Sequence, residues 1–296
     1  MTEVKTLGVP QPDADVVNKE PRVLLIGFGW VGQYMAKYFK TADIYTPEGL
    51  MTQSGLELAE GNEWDLGIIG VPTPMNEETG QCDISIVEEN VARFKDRVKH
   101  FLIKSTVEIG TTDYLKEKYG VSIAMSPEYV GETLGHPLLE ARRDAFQIIG
   151  GADETANAIA GFFHKVLHAS APIQIVTALE AEIIKYCENM WIMQRVAYWN
   201  DVYEVAKTMG ASFDRVREGL VLDPRFSRTH SFVYPDNRGW SGKCLPKDMN
   251  ALAYKMRKAG HPLKTLEHLI EENAYRRKDY KNKERLIPEQ PEWRKE

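Results

Sequence analysis

Residues 22–40 read RVLLIGFGWVGQYMAKYFK, and this stretch is the strongest indication of the fold class. It opens with a short apolar run at 22–26, which is typical of a buried parallel strand. A glycine-rich turn follows, and residues 30–40 then have helical spacing. Gly27, Gly29 and Gly32 form a G-x-G-x-x-G pattern between this strand and this helix, where glycines permit a tight turn and the close approach of a pyrophosphate. The stretch therefore predicts a dinucleotide-binding α/β unit.

The same alternation of strands and helices continues to about residue 151. The further predicted strands are ADIYTP, WDLGIIGVPTP, HFLIKST, VSIAMSPEY and FQIIGG, with helices in ISIVEENVARFKDRV and around 112–118. Alternation of this kind implies right-handed crossovers and a mostly parallel sheet. We expect an α/β fold, with a Rossmann-type NAD-binding domain followed by an all-helical central domain with a long connecting helix.

The second half of the chain has a helical character. A run from 178 to about 209 contains no Pro or Gly until its end and carries apolar residues on more than one face. A helix of this kind is buried within a domain or against another subunit, so we expect a homodimer that forms through it. Further helices are expected near 211–221, 247–259 and 263–278. The predicted domains are a flexible segment at 1–20, the NAD-binding domain at 21–171, the helical domain at 172–280 and a charged tail at 281–296.

Composition excludes several classes of protein. The net charge of −6 and the isoelectric point near 5.8 argue against a general nucleic-acid binder. No apolar run reaches the length of a membrane span, and the N-terminus lacks the basic-then-apolar order of a secretory signal. The chain has three cysteines and no CxxC pair, which predicts neither a disulfide framework nor a metal site. We expect a cytoplasmic protein without membrane or nucleic-acid partners.

One element usual in NAD binders is absent from the second strand. Such strands end in Asp or Glu, which accepts a hydrogen bond from the adenosine ribose. Here the strand reads DIYTPEG, with Thr46 at that position and Glu48 two residues further on. No arginine stands there to receive a 2′-phosphate, so the sequence favours NAD over NADP.

Six motifs occur in order along the chain: GFGWVG, VPTP, KSTVEIGTT, SPEYVGE, AEIIKYCENMWIMQRVAYWN and GWSGKCLPKD. In this order and at this spacing they resemble the UDP-glucose/GDP-mannose dehydrogenase family, over residues 22 to 278. The resemblance implies oxidation of the C6 alcohol of a nucleotide sugar to a carboxylate with two NAD. The expected substrate is UDP-glucose and the expected product UDP-glucuronate.

The cysteine of the last motif has a chemical reason to be there. Two hydride transfers are needed to convert an alcohol to an acid, and a thiolate can hold the intermediate aldehyde as a thiohemiacetal and then as a thioester. Cys244 stands at the predicted start of a helix, where backbone N–H groups favour a thiolate, with Lys243 and Lys247 nearby. The alternative is a small buried residue in a turn. We expect Cys187 to be buried in mid-helix and Cys82 to be incidental in a polar loop.

The resemblance assigns roles to the remaining candidates. Lys185 and Asn189 are four residues apart and share a helix face, where they would stabilise the alkoxide and hold a water that accepts the proton; a solvated face is the alternative. The other matching positions are Glu132 as the base for thioester hydrolysis, Thr106 placing the water, Asp248 in the proton network, Thr73, Thr106 and Lys247 around the cofactor, and Glu128, Glu132, Lys185, Asn189 and Arg225 at the substrate.

Two departures from the family pattern leave alternatives open. Ser241 replaces the first of two adjacent glycines before x-Cys, which can alter the sugar pocket. Family members also continue into a third α/β domain that binds the nucleotide, and this sequence ends before it. A two-electron 3-hydroxyacid dehydrogenase, which needs no thiol, is one alternative function. A non-catalytic, NAD-binding dimeric remnant is another.

Overall fold

A computed structural model describes residues 21–51, 63–129, 146–242 and 244–277, and the fold and contacts given below concern these residues. Their strands form one eight-stranded sheet in the order β3-β2-β1-β4-β5-β6-β7-β8. The strands are β1 Val23–Ile26, β2 Asp43–Thr46, β3 Gly49–Met51, β4 Trp64–Ile69, β5 Val98–Ile103, β6 Ile123–Met125, β7 Gln147–Gly151 and β8 Ile173–Val176. All pairs are parallel except β2 with β3 and β6 with β7.

Four helices accompany the sheet, and four more form the second half of the chain. They are α1 Trp30–Met35, α2 Ser85–Phe94, α3 Thr111–Tyr119, α4 Asp153–Val166, α5 Ala178–Thr208, α6 Phe213–Leu220, α7 Leu245–Lys258 and α8 Lys264–Arg277. Apolar residues of α1 and α4 bury one face of the sheet, and those of α2 and α3 bury the other. A separate core joins α5, α7 and α8 around Tyr186, Met193, Trp240 and Met249.

The direction of the chain reverses at the centre of the sheet, between β1 and β4. From β1 the chain builds outward to β2 and β3, and from β4 it builds in the opposite direction to β8. Loops that follow β1 and β4 therefore diverge and leave a crevice at the carboxyl ends of these strands. In open α/β sheets this is the place where ligands bind.

Helix α5 is the longest element and connects the two halves. Its start is fixed by a capping box, in which the Thr177 hydroxyl accepts from the Glu180 N–H and the Glu180 carboxylate accepts from the Thr177 N–H at 2.8 Å. Ala181 packs into the sheet core, whereas Tyr186 and Met193 belong to the core shared with α7 and α8. One continuous helix thus contacts the sheet and carries the helical half.

The structure confirms the predicted α/β class and changes some elements. Helix α1 ends at Met35, because the Tyr38 N–H turns back to Met35 in a tighter i→i+3 bond. The three-residue strand β3 is too short to have been recognised in the sequence. Strand β8 joins the sheet beside β7, so the sheet extends beyond residue 171 into the segment expected to be all-helical. Within the described part of the chain, none of the helices combines the length and apolarity that crossing a membrane requires.

Candidate active site

The glycine turn after β1 has the geometry that a pyrophosphate needs. Gly27 has φ +90°, and a Cβ there would lie 2.6 Å from the carbonyl oxygen of Gly70 at the end of β4. A Cβ on Gly32 would lie 2.2 Å from the Gly27 oxygen, so α1 could not approach the turn. A Cβ on Gly29 would meet nothing within 4 Å. The fold thus explains Gly27 and Gly32, and the open space at Gly29 fits a bound phosphate group.

The end of β2 offers a carboxylate to the adenosine side of this crevice. The Thr46 hydroxyl donates to Gly49 O at 3.4 Å in the turn that leads to β3. Glu48, in the same turn, is fully exposed, and hydrogen bonds from the Thr46 side chain and the backbone lower its pKa. Glu48 is therefore ionised at neutral pH and can serve as the acceptor that Thr46 does not provide.

Cys244 is the N-cap residue of α7, as the sequence predicts. It has helical backbone angles, φ −89° and ψ −57°, and its side chain is exposed. Its carbonyl accepts from the Asp248 N–H at 2.9 Å, which closes the first turn of the helix. An exposed thiol at a helix N-terminus can react with a substrate, and this position excludes the alternative of a buried residue in a turn.

The loop before Cys244 is held from α8 and α5. The Asn273 side chain accepts from the Trp240 N–H at 2.7 Å and donates to the Trp240 carbonyl at 3.0 Å. The Arg238 guanidinium donates to Asn200 Oδ1 at 2.6 Å. Ser241 is exposed and does not have a positive φ, so the hydroxymethyl group in place of glycine causes no backbone strain. Side chains of α5 and α8 therefore fix the start of the loop that leads to Cys244.

A chain of polar contacts runs from α5 through α7 to the loops after β4 and β5. Asn189 donates to Asp248 Oδ2 at 2.6 Å, and both side chains are buried. Lys247 Nζ lies 2.6 Å from the other oxygen of Asp248 and 3.3 Å from the Thr73 hydroxyl. The Thr73 hydroxyl donates to Thr106 O at 2.7 Å. Five residues that the sequence predicts for the site are thus linked.

A second group of contacts surrounds Lys185. Its Nζ donates to Glu128 O at 2.6 Å, and it lies 5.7 Å from the centre of the Tyr129 ring. On the far side of Glu128, Lys104 Nζ lies 3.6 Å from Glu128 Oε2. Glu128 is therefore held between two lysines, one at its carbonyl and one at its carboxylate.

Lys104 was not singled out from the sequence, although it is fully buried. Its Nζ donates to Ser126 Oγ at 3.0 Å and to Gln147 Oε1 at 2.9 Å. Burial lowers its pKa, and the nearby Glu128 carboxylate opposes this effect. Because Lys104 follows β5, Ser126 follows β6 and Gln147 begins β7, the lysine fastens three strands at the edge of the sheet where the site lies.

Glu182 and Tyr186 of α5 fix the loop that carries Thr106, and neither residue was predicted from the sequence. The buried Glu182 carboxylate accepts from Gly110 N at 2.5 Å, from Thr112 N at 2.8 Å and from Thr112 Oγ1 at 2.6 Å. Burial raises its pKa, and these hydrogen bonds oppose the rise. The Tyr186 hydroxyl donates to Val107 O at 3.0 Å. The signal available in the sequence was a glutamate three residues before Lys185, on a helix predicted to be buried.

Of the other two cysteines, Cys187 contradicts the expectation that it is buried, and Cys82 is more buried than its polar loop suggests. Cys187 is exposed, because it lies on a side of α5 that neither the sheet nor α7 covers. Cys82 is buried in the core shared by α5, α7 and α8, with its Sγ 3.7 Å from Thr106 O. Burial raises the pKa of the Cys82 thiol, so it remains protonated at neutral pH. The polar surroundings of Cys82 in the sequence concealed this long-range packing.

Three predicted residues are not part of these contacts. Glu132 lies outside the described residues, as does Lys243. Arg225 is exposed in the turn after α6, where its guanidinium hydrogen bonds go to Asp223 at 2.5 to 3.0 Å. The structure therefore brings together Lys185 with Glu128, and Asn189 with Asp248, Lys247, Thr73 and Thr106, while Arg225 stands apart.

Two family models match the chain. Residues 52–168 match the NAD binding domain of the UDP-glucose/GDP-mannose dehydrogenase family, and residues 179–275 match the central domain of the same family. A UDP-glucose 6-dehydrogenase of Bacillus subtilis is 31% identical over 225 residues, which are 72% of this chain and 47% of the relative. A GDP-mannose 6-dehydrogenase of Azotobacter vinelandii is 24% identical over 242 residues, 76% of this chain and 52% of the relative.

The fold also matches solved structures of this group. A UDP-glucose dehydrogenase from the archaeon Pyrobaculum islandicum superposes with a TM-score of 0.72 at 23% identity, over 90% of this chain and 70% of that chain. This likeness confirms the fold class predicted from the sequence. The chain spans about half the length of the relatives it matches in sequence.

Proposed function

This chain belongs to the UDP-glucose/GDP-mannose dehydrogenase family, and we propose that it oxidises the C6 alcohol of a nucleotide sugar to the carboxylate, with UDP-glucose as substrate and UDP-glucuronate as product. The observation that carries the proposal is the buried hydrogen bond of 2.6 Å between Asn189 and Asp248. It joins the helix of Lys185 to the helix that begins at Cys244. A two-electron dehydrogenase does not need a thiol whose helix is hydrogen-bonded to the helix that carries the lysine and the asparagine.

NAD is the proposed oxidant and accepts one hydride in each of two oxidations. The open space at Gly29 suits its pyrophosphate, and Glu48 suits the adenosine ribose. Thr73 and Lys247, which lie in contact beside the loop after β4, are proposed to bind the nicotinamide side and its phosphates. Gly29, Glu48 and Thr73 follow β1, β2 and β4, at the carboxyl ends of the strands where the sheet changes direction.

In the first oxidation the chain must stabilise a developing alkoxide. The Lys185 ammonium is available at this position, with 13% of its side chain exposed and with the Tyr129 ring and the Glu128 backbone beside it. An ammonium group in such a place stabilises negative charge more strongly than it would in bulk water. Asn189, one helical turn further on, can hold a water that receives the hydroxyl proton.

In the second oxidation Cys244 retains the substrate. Its thiolate attacks the aldehyde carbon to give a thiohemiacetal, which loses the second hydride and becomes a thioester. Water then breaks the C–S bond, releases the carboxylate and returns the thiol. We propose Glu132 as the base that removes a proton from this water, with Thr106 positioning it and Asp248 in the proton network. Arg225 is proposed to contact the sugar nucleotide.

We also propose that the protein dimerises through α5. Large apolar side chains on this helix are exposed, with Leu179 at 45%, Ile183 at 40%, Trp191 at 59% and Val205 at 63%. Exposed aromatic and aliphatic residues along one long helix are typical of a subunit interface. Light scattering on the purified protein should give twice the chain mass of 33.7 kDa.

A cytoplasmic location is proposed because none of the three cysteines forms a disulfide in the structure. Thiols persist in a reducing compartment, whereas secreted proteins form disulfides. Fractionation of the source cells, with detection by antibody, tests this location directly.

Counting NADH per sugar tests the proposed reaction. Candidate nucleotide sugars are supplied with NAD, and NADH formed is compared with sugar consumed. Two NADH per sugar, lost in Cys244→Ala, support the proposal. One NADH per substrate with the variant unaffected would instead support a 3-hydroxyacid dehydrogenase. Tight NAD binding without turnover of any sugar would support a non-catalytic protein.

A further inference from the structure

Glu188 is a carboxyl group at the candidate site for which no role was predicted from the sequence. It lies on α5 between Lys185 and Asn189, and its Oε2 is 3.9 Å from Lys185 Nζ. This oxygen is buried and, among the described residues, accepts no hydrogen bond. Burial of a carboxylate oxygen without a donor costs free energy. A group that remains there under this cost is a candidate for chemistry rather than for stability.

The surroundings of Glu188 favour a carboxyl group that gains and loses a proton. The charged and titratable groups that face it in the described structure are Lys185 on its own helix and Glu128 and Tyr129 after β6. Burial raises the pKa of Glu188 to about 7, with Glu128 adding to the rise and Lys185 opposing it. A base whose pKa lies near the working pH can both accept a proton and release it.

Glu188 also has access to solvent, which a proton acceptor needs in order to release its proton. Its Oε2 is buried toward Lys185, while 34% of the whole side chain is exposed. One end of the carboxyl group therefore faces the site and another part reaches water. A proton taken up on the buried oxygen can leave to solvent after rotation of the carboxyl group.

We infer that Glu188, acting through Lys185, accepts the hydroxyl proton in the alcohol oxidation, in place of the water proposed at Asn189. The inference rests on the proposed function. The C6–H bond breaks as hydride passes to NAD, and the hydroxyl proton passes to Lys185 while Lys185 gives one of its own protons to Glu188. The products are the aldehyde, NADH and a neutral Glu188 carboxyl, which then loses its proton to water. The pair closes from 3.9 Å to hydrogen-bond distance by a side-chain movement of about 1 Å.

The test combines a direct titration with the pH dependence of turnover. Glu188 is followed by the ¹³C signal of its carboxyl carbon, identified as the signal missing in Glu188→Gln. The inference predicts a midpoint near pH 7. It also predicts that kcat of the parent protein rises with pH through the same midpoint. Glu188→Gln should lower kcat by about 100-fold and abolish this rise, because general-base catalysis contributes at least that factor. Affinity for NAD should be unchanged.

Two further variants separate a chemical role from a structural one. Glu188→Asp keeps a carboxyl group and should retain a pH-dependent rate above that of Glu188→Gln. Glu117→Gln, on the exposed side of α3, removes the same charge elsewhere and should match the parent protein.

Each failure has a distinct meaning. An active protein whose Glu188 titrates near 4.5, or whose Glu188→Gln variant keeps the parent rate and pH profile, overturns the inference alone. A protein that oxidises no nucleotide sugar at any pH overturns the proposed function, and the inference with it, whatever the midpoint of Glu188.

Discussion

Replacement of Glu182 by alanine removes the carboxylate that joins α5 to the start of α3. Three donors, two backbone N–H groups and the Thr112 hydroxyl, bond to this carboxylate in a buried position. A buried donor left without its acceptor costs about 1 kcal/mol or more. The three together predict a loss of about 3 kcal/mol in the free energy of unfolding, the range found when one partner of a buried charged group is removed.

Urea unfolding at pH 7 measures this loss. We expect Glu182→Ala to unfold at lower urea concentration with an unchanged slope, which identifies a change in stability rather than in the unfolded state. Glu180→Ala, two residues away on the same helix, is the matched control. It removes the exposed partner of the capping box and should shift the midpoint less. A Glu182→Ala protein within 1 kcal/mol of the parent, or no less stable than Glu180→Ala, would refute the reasoning.

Three other variants have expected outcomes. Because burial raises the pKa of Glu188 to about 7, the folded state favours the protonated form and loses stability as pH rises from about 4.5 through 7. Relative to the parent, the free energy of unfolding of Glu188→Gln should therefore rise by about 1–2 kcal/mol between pH 5 and pH 8 in urea titrations, after allowance for solvent screening. The same difference in free energy of unfolding between the two proteins at pH 5 and at pH 8 would contradict this expectation. Lys104→Met leaves Gln147 and Glu128 without their buried cation, and thermal unfolding should report a loss of about 3 kcal/mol or more; an unchanged melting temperature would be inconsistent with the contacts described. Trp191→Glu should halve the mass found by light scattering, and a persistent dimer would locate the interface elsewhere.

The sequence predicted elements with strong local signals. The glycine turn between β1 and α1 and the absence of Pro and Gly in α5 are local features, and both elements start where expected. Strand β3 has three residues and is stabilised only by its pairing with β2, so no periodic pattern could indicate it. Strand β8 coincides with the segment IQIVT at 173–177, whose apolar and β-branched residues are typical of a short strand.

Candidate site residues that lie in motifs were named from the sequence, whereas residues whose contacts depend on burial were missed. The position of Cys244 at the start of α7 and the shared face of Lys185 and Asn189 on α5 follow from motif and spacing. The hydrogen bond between Asn189 and Asp248, which joins two helices, was not predicted. Glu182 and Lys104 make their contacts with residues more than twenty positions away in the chain. The exposure of Cys187 was missed for the same reason: local sequence does not reveal which side of a helix is covered by a distant element.

Detection of a thioester on Cys244 is the sharpest test of covalent catalysis by this residue. A Glu132→Gln variant, which lacks the base proposed for hydrolysis, is mixed with NAD and UDP-glucose, quenched in acid within seconds and digested. The mass of the peptide that contains Cys244 is then measured by mass spectrometry. The account predicts that this peptide gains the mass of the oxidised sugar nucleotide, and that Cys244→Ser gives no such adduct. Formation of UDP-glucuronate at the parent rate by Cys244→Ser would contradict it.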